Sequence, residues 1–304
     1  VTRSTANLAR AFRRAHGLGN DYLVVDGEHF GLTMDAARAR LLCDRHRGVG
    51  SDGVLVGGAA SGDADIAVRI FNPDGSEAEK SGNGVRIFAA DCFDRGLGAT
   101  GSLRIETLGG LVTAQLRERR PALSILSVSM GVVRYAMRAL PMLDADGSVP
   151  GVDDTWVERA LMIGGRPVTA TCVSVGNPHA VLLSAPCDEA TLLDLGPQVE
   201  HHAQFPQRTN VQLCEVLDRG RVRALIWERG AGPTLASGSS ACAVVAACAR
   251  AGHLDLDRDI EVVMPGGSLS VRLGTDGAIE QTGPVEAICE GLVAGDLWNA
   301  LVRA

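Results

Sequence analysis

Two short stretches of the chain set a hydroxyl among small residues where an apolar run begins: EKSGNGVR (79–86) and LASGSSACAV (235–244). In each, Ser-Gly follows a polar, glycine-containing turn, so Ser81 and Ser237 read as helix N-caps. A helix N-terminus presents unpaired N–H groups and a partial positive charge, and therefore favours a carboxylate or phosphate. Gly82 and Gly238 remove the side chain where an anion would approach the backbone, while Asn83 and Ser239 add polar tips. Plain capping accounts for either stretch taken singly; two such ends facing one cleft would clamp a small anion.

A second group of polar residues falls at the ends of expected strands, mostly beside glycine or proline: Asn20 in HGLGND, Asn72 in FNPDG, Asn177 and His179 in GNPHAV, Asn210 in TNV, and Glu228-Arg229 in WERGAG. Asparagine is commonplace in turns, and a lone histidine is more often structural than basic. His179 and Glu228 are nevertheless the groups best suited to general acid–base work, and Arg229 can pair with a carboxylate bidentately. An imidazole and a carboxylate set against opposite faces of a bound carbon would make a two-sided proton-transfer site.

These residues need a scaffold, and the chain supplies mostly strands. Runs at 22–26, 53–57, 65–71, 102–107, 111–116 and 123–130 alternate or are β-branched. The first half adds two helices, from Thr33 as N-cap to about His46, and from about Gly82 to Arg95, stopped by Gly96. The second half repeats this grammar with strands at 167–175, 210–216 and 221–228, a small-residue helix from Ser237 to Arg250, and a glycine-turned hairpin. The two Ser-Gly mouths lie about half a chain apart, which points to an internally duplicated α/β protein. The expected domains are 1–136, with 287–304 returning to it, and 137–286; the segment 137–165, with DADGSVPGVDD inside it, reads as a linker.

With 304 residues the chain is long enough for two modest cores. Its 29 Lys+Arg against 36 Asp+Glu leave a net charge of −7 and no basic run with interleaved aromatics, which argues against nucleic acid as a partner. The eight cysteines form no Cys-x-x-Cys pair and several sit in apolar runs such as ACAVVAACA, so buried free thiols and a reducing cytoplasm are expected. No apolar run reaches membrane-spanning length, and VTRSTANLARAFRRA has no continuous apolar core of a leader. GVGSDG (48–53) follows a helix and precedes a strand, the reverse of a dinucleotide fingerprint. ASGSSA is no G-x-S-x-G elbow, and neither a Walker lysine nor zinc spacing is present.

Assembled, these segments resemble the diaminopimelate epimerase family over nearly the whole chain: HGLGNDYLVVD (16–26), RHRGVGSDGVL (45–55), RIFNPDGSEAEKSGNGVRIFA (69–89), VSVGNPHAV (173–181), QRTNVQLCEV (207–216), ERGAGPTLASGSSACA (228–243) and VMPGGSLSV (263–271). The resemblance implies two mirrored domains, each a β-barrel-like sheet around a central helix, with the ligand held between them. It implies a cofactor-independent isomerase of lysine and cell-wall precursor biosynthesis that interconverts LL- and meso-diaminopimelate, often as a homodimer. One cysteine thiolate removes the α-proton and a second thiol protonates the opposite face; by position those cysteines fall on Ser81 and Ser237.

Carried over residue by residue, the resemblance assigns His179 to the group at 81 and Glu228 to the group at 237. It gives the N–H groups of Gly82, Asn83, Gly238 and Ser239 to the α-carboxylate, and Asn20, Asn72, Asn177, Asn210 and Arg229 to the distal end of diaminopimelate. Lys80, Pro233 and Ser240 also depart from the family motifs, which read closer to EMCGNG and GETxACGTGAC. A thiol ionises near pH 8.5 and lower still at a helix N-terminus, whereas an aliphatic hydroxyl ionises far less readily. Little or no epimerisation is therefore expected from the chain as written. The alternatives are a catalytically silent amino-acid-binding protein, or a related racemase, dehydratase or isomerase with another substrate.

Overall fold

The computed structural model describes residues 9–121 and 123–304; residues 1–8, which contribute to the reading that no leader is present, lie outside it. The chain divides into two compact units, one running to Val128 and taking back Gly283–Ala304, the other Ser129–Thr282. The first contains β1 (Ala11–Gly17), β2 (Asn20–Asp26), β3 (Val54–Gly58), β4 (Ile66–Phe71), β5 (Glu77–Ala78), β6 (Ser102–Thr107), β7 (Gly110–Arg120) and the start of β8 (Leu123–Val132). The second continues with β9 (Arg159–Ile163), β10 (Arg166–Ser174), β11 (Pro178–Leu182), β12 (Asn210–Asp218), β13 (Arg221–Glu228), β14 (Gly232–Thr234), β15 (Asp259–Met264), β16 (Gly267–Leu273) and the start of β17 (Ala278–Leu292). The divisions between units fall inside β8 and β17.

Pairing in the first unit is antiparallel β1–β2, parallel β2–β3, antiparallel β3–β4, parallel β4–β6, then antiparallel β6–β7 and β7–β8. β8 pairs with β17, and β17 returns antiparallel to β1, so eight strands close into a barrel without an open edge. The second unit repeats the order: antiparallel β10–β11, parallel β11–β12, antiparallel β12–β13, parallel β13–β15, then antiparallel β15–β16 and β16–β17. The duplication expected from the two Ser-Gly mouths is thus present in the strand order itself.

Each barrel is built round a helix. Gly82–Asp94 packs against β1, β2, β3, β4 and β7, and Gly238–Arg250 against β10, β11, β12, β13, β15 and β16. A helix surrounded by strands has no wet face, so its residues must be apolar or small all round. GSSACAVVAACAR meets that condition with alanine, cysteine and valine, and Ala241–Cys248 are all fully buried. The alternation of β12 follows from the same layout: Val211 and Leu213 point outward against Leu192 and Val199 of the Glu189–Glu200 helix, while Gln212 and Cys214 point inward to Ser240 and Cys248.

Two local expectations need correction. The first helix spans only Ala36–Cys43, because Asp35 rather than Thr33 is its N-cap, accepting from the Arg38 N–H at 2.9 Å. Asp44 ends it by turning its carboxylate to the N–H groups of His46 and Arg47. Nor is 137–165 a linker: Met137, Leu140, Met142, Trp156, Leu161 and Ile163 are buried in one apolar cluster with Leu192, Val199 and Phe205. Its polar DADGSVPGVDD stretch masked the apolar anchors on either side.

Candidate active site at two helix mouths

In the first unit Ser81 adopts the extended conformation of an N-cap (φ −136°), and its Oγ accepts from the Gly84 N–H at 3.1 Å. The Tyr22 hydroxyl lies 3.1 Å from the same oxygen. Gly53 makes room for Tyr22, since a Cβ there would stand 2.5 Å from Tyr22 Cε1 and 2.6 Å from the Phe71 carbonyl. Asn83 is held at both ends: its Oδ1 accepts from the fully buried Arg86, and its Nδ2 donates to Asn20 Oδ1 at 3.3 Å. Asn20 in turn donates to Asp52 Oδ2 at 3.1 Å. Arg86, Asn83, Asn20 and Asp52 therefore form one hydrogen-bonded chain, whereas Asn72 holds its own turn by donating to Ser76 Oγ at 2.9 Å.

The second unit builds its mouth from five segments. Ser237 is again an extended N-cap (φ −144°), with Oγ accepting from the Ser240 N–H at 3.4 Å and lying 3.4 Å from Ser239 Oγ. Gly238 sits against Gln281, whose Oε1 would be 2.2 Å from a Cβ at that position. His179, on β11 beside Asn210 of β12, is fully buried, with Nε2 at 2.8 Å from Asn177 Oδ1 and Nδ1 at 3.0 Å from Gln212 Nε2. Asn210 donates to the Pro178 carbonyl at 2.9 Å and accepts from the Arg229 N–H at 3.0 Å, stapling the WERG turn to β11.

Glu228 ends β13 opposite Gly232 of β14, the strand that leads into Ser237. Glu200 fixes this turn from the flanking helix, its carboxylate accepting from Trp227 Nε1 at 2.7 Å and from the Gly230 N–H at 2.9 Å. The Arg229 guanidinium donates to the Gln207 carbonyl at 3.2 Å. The sequence alone does not single out Tyr22, Arg86, Glu200, Gln212 or Gln281, and marks Ser240 only as a departure from the family motifs. Gln212 had a usable signal: it lies two residues after Asn210 in an otherwise apolar strand, hence on the same face.

Burial pushes His179 down to about 3, and the nearby positive charge of Arg229 acts in the same direction, so the ring is neutral at pH 7. Its folded value lies below its ordinary 6.5, so the unfolded chain binds the extra proton first. The resulting stability is complete above about pH 6.5 and is lost as pH falls towards 3. On this linkage alone, unfolding at pH 5 is about 2 kcal/mol easier than at pH 7.5. Urea titrations at both values test this, and a His179→Asn chain should show a slope shallower by that amount; an unchanged slope excludes His179 as its source.

The thiols are poor candidates for chemistry. Cys43, Cys92, Cys172, Cys214, Cys242 and Cys248 are buried, and burial raises Cys92 to about 12. Among the described residues no cluster of three or more His, Cys, Asp or Glu side chains is arranged to hold a metal ion, and no helix is long and apolar enough to cross a membrane.

The diaminopimelate epimerase family profile matches residues 12–136 and 171–288, covering the mouths in both units. Diaminopimelate epimerase 2 of Nostoc sp. is 38% identical over 287 residues, spanning 94% of this chain and 96% of the relative. The diaminopimelate epimerase of Desulforudis audaxviator is 41% identical over 282 residues, spanning 92% and 98%. Among solved structures, a Bacillus anthracis phenazine biosynthesis protein superposes with a TM-score of 0.69 at 16% identity, covering 94% of this chain and 99% of that one. A hydroxyproline epimerase from Agrobacterium vitis gives 0.67 at 14% identity, covering 97% and 98%, a likeness of fold alone. With matched motifs on both barrels and identity sustained along the chain, the protein belongs to the diaminopimelate epimerase family.

Proposed function

We propose that this chain recognises diaminopimelate as an epimerase of LL and meso forms, with proton transfer strongly slowed by hydroxyls at positions 81 and 237. The observation that carries this reading is the repeated N-cap bond: both serine oxygens accept a backbone N–H of their own helix. At the same two mouths the N–H groups of Gly82, Asn83, Gly238 and Ser239 suit an α-carboxylate. What is weakened is the base, since an aliphatic hydroxyl supplies almost no alkoxide at pH 7 to remove a weakly acidic C–H. Asn20, Asn83, Asn177, Asn210 and Arg229 supply polar groups for the rest of the ligand, and no bound cofactor is invoked. A cytoplasmic location is part of the proposal, supported by the buried thiols, and so is a homodimer, supported by family membership.

A second reading, a silent amino-acid-binding protein, is favoured by the full burial of His179, which lowers its affinity for a proton and leaves it a weak base. Calorimetry with LL- and meso-diaminopimelate, paired with proton exchange at the α-carbon in heavy water, separates the two. Binding with slow but measurable exchange supports the impaired epimerase, and binding with none supports the silent clamp. Rapid exchange refutes the slowing, and failure to bind either stereoisomer refutes the substrate.

A further inference from the structure

The polar chain behind His179 has a direction that can be read from its partners. His179 is neutral and wholly buried, so it carries one ring proton and both nitrogens need a partner. Gln212 Nε2 lies 3.0 Å from His179 Nδ1 and also 3.0 Å from Ser240 Oγ, while Gln212 Oε1 is buried without a hydrogen-bond partner among the described residues. Turning the amide over would bury two idle N–H groups in place of one idle carbonyl, and unpaired buried donors are the rarer and costlier case. It would also put the His179 Nε2 lone pair against Asn177 Oδ1 at 2.8 Å, two acceptors facing each other. With the amide nitrogen inward, every contact has one donor and one acceptor.

We infer that Gln212, braced by Ser240 in the first turn of the Gly238–Arg250 helix, is a positioning residue that locks His179 as the tautomer protonated on Nε2. The consequence runs outward. Nδ1 receives the Gln212 N–H, Nε2–H donates to Asn177 Oδ1, and the imidazole has no lone pair left to take a proton. His179 then acts as an orienting donor rather than as a base. Asn177, with its carbonyl occupied, offers its Nδ2 hydrogens to the ligand, which selects an acceptor such as a carboxylate oxygen over an ammonium group.

This inference rests on the proposed site only for the ligand group; the tautomer is measurable without any ligand. In nitrogen-15-labelled protein at pH 7, two-bond proton–nitrogen correlations report which ring nitrogen is protonated, with the His179 signals assigned by their loss in a His179→Asn chain. The expected result is a protonated Nε2 and a bare Nδ1. Gln212→Glu offers an acceptor in place of the donor and should move the proton to Nδ1, and Gln212→Met, similar in size but without a donor, should leave a mixture. A protonated Nδ1 in the unaltered chain overturns the inference, as does an unchanged tautomer in a folded Gln212→Glu chain. If Gln212→Glu does not fold, the unaltered protein and Gln212→Met decide the matter. A wrong tautomer would leave diaminopimelate recognition standing, and absent diaminopimelate binding would leave the tautomer standing.

Discussion

Replacing Ser81 and Ser237 together by cysteine is expected to raise α-proton exchange of diaminopimelate by roughly 10²–10⁴-fold, the range that a well-placed acid–base group contributes. The seats are already made. Each serine oxygen occupies the N-cap position and takes a backbone N–H, at 3.1 Å from Gly84 and 3.4 Å from Ser240. A thiolate in the same place would receive those bonds and the helix dipole, both of which lower its pKa from about 8.5. LL–meso interconversion should need both substitutions, because inversion takes a proton from one face and returns one to the other, whereas a single thiol can exchange the proton on its own face. Exchange is followed by loss of the α-proton resonance in heavy water, and LL–meso interconversion by chiral chromatography. A double variant that binds diaminopimelate yet remains as slow as the unaltered chain would show that the divergence extends beyond the two oxygens.

The second large effect is expected from Gly53→Ala, at about 3 kcal/mol of lost stability, towards the upper end for overpacking a core. The added methyl meets the Tyr22 ring at 2.5 Å and the Phe71 carbonyl at 2.6 Å, and the latter is backbone that cannot swing aside. Tyr22 must then move, and with it the hydroxyl that stands 3.1 Å from Ser81 Oγ. Gly58→Ala, at the other end of β3, is the matching control, because nothing lies within 4 Å of a Cβ there. Urea unfolding should show a lowered midpoint for the first and a near-normal one for the second. Equal midpoints would mean that β3 shifts to absorb the methyl.

Much of this arrangement was legible before the coordinates. The Ser81 and Ser237 caps, the strands at 102–107 and 221–228, and the helix ending at Gly96 follow from local chemistry: a hydroxyl that accepts an N–H, a period of two, a glycine at φ +83°. What stayed hidden depends on partners distant in sequence. β17 carries Gly283-Pro284 in mid-strand, yet Ile279, Gln281, Gly283 and Val285 alternate inward along it. β11, which carries His179, is only PHAVL, too short for its period to declare a strand. Gln212 acquires meaning only beside His179 and Ser240, and Ser240 registered merely as a departure from a familiar motif. The short helix Glu189–Glu200 contains Pro197, and its Glu200 holds the turn around Glu228 and Arg229 from outside the barrel.

The strand that closes the first barrel also sets a timetable for making the protein. Ala11 pairs with Leu292, so β1 waits for a partner made about 280 residues later. At about 5–20 residues per second the delay is on the order of 15–60 s. During that interval β1 has only β2 beside it, and its other edge is open to any nascent chain nearby. The second unit is continuous in sequence, from Ser129 to Thr282, and leaves the exit tunnel whole before the first can close. For this chain the order in which the two units begin and the order in which they can be completed are therefore reversed, and the edge of β1 is the one left unpaired for longest.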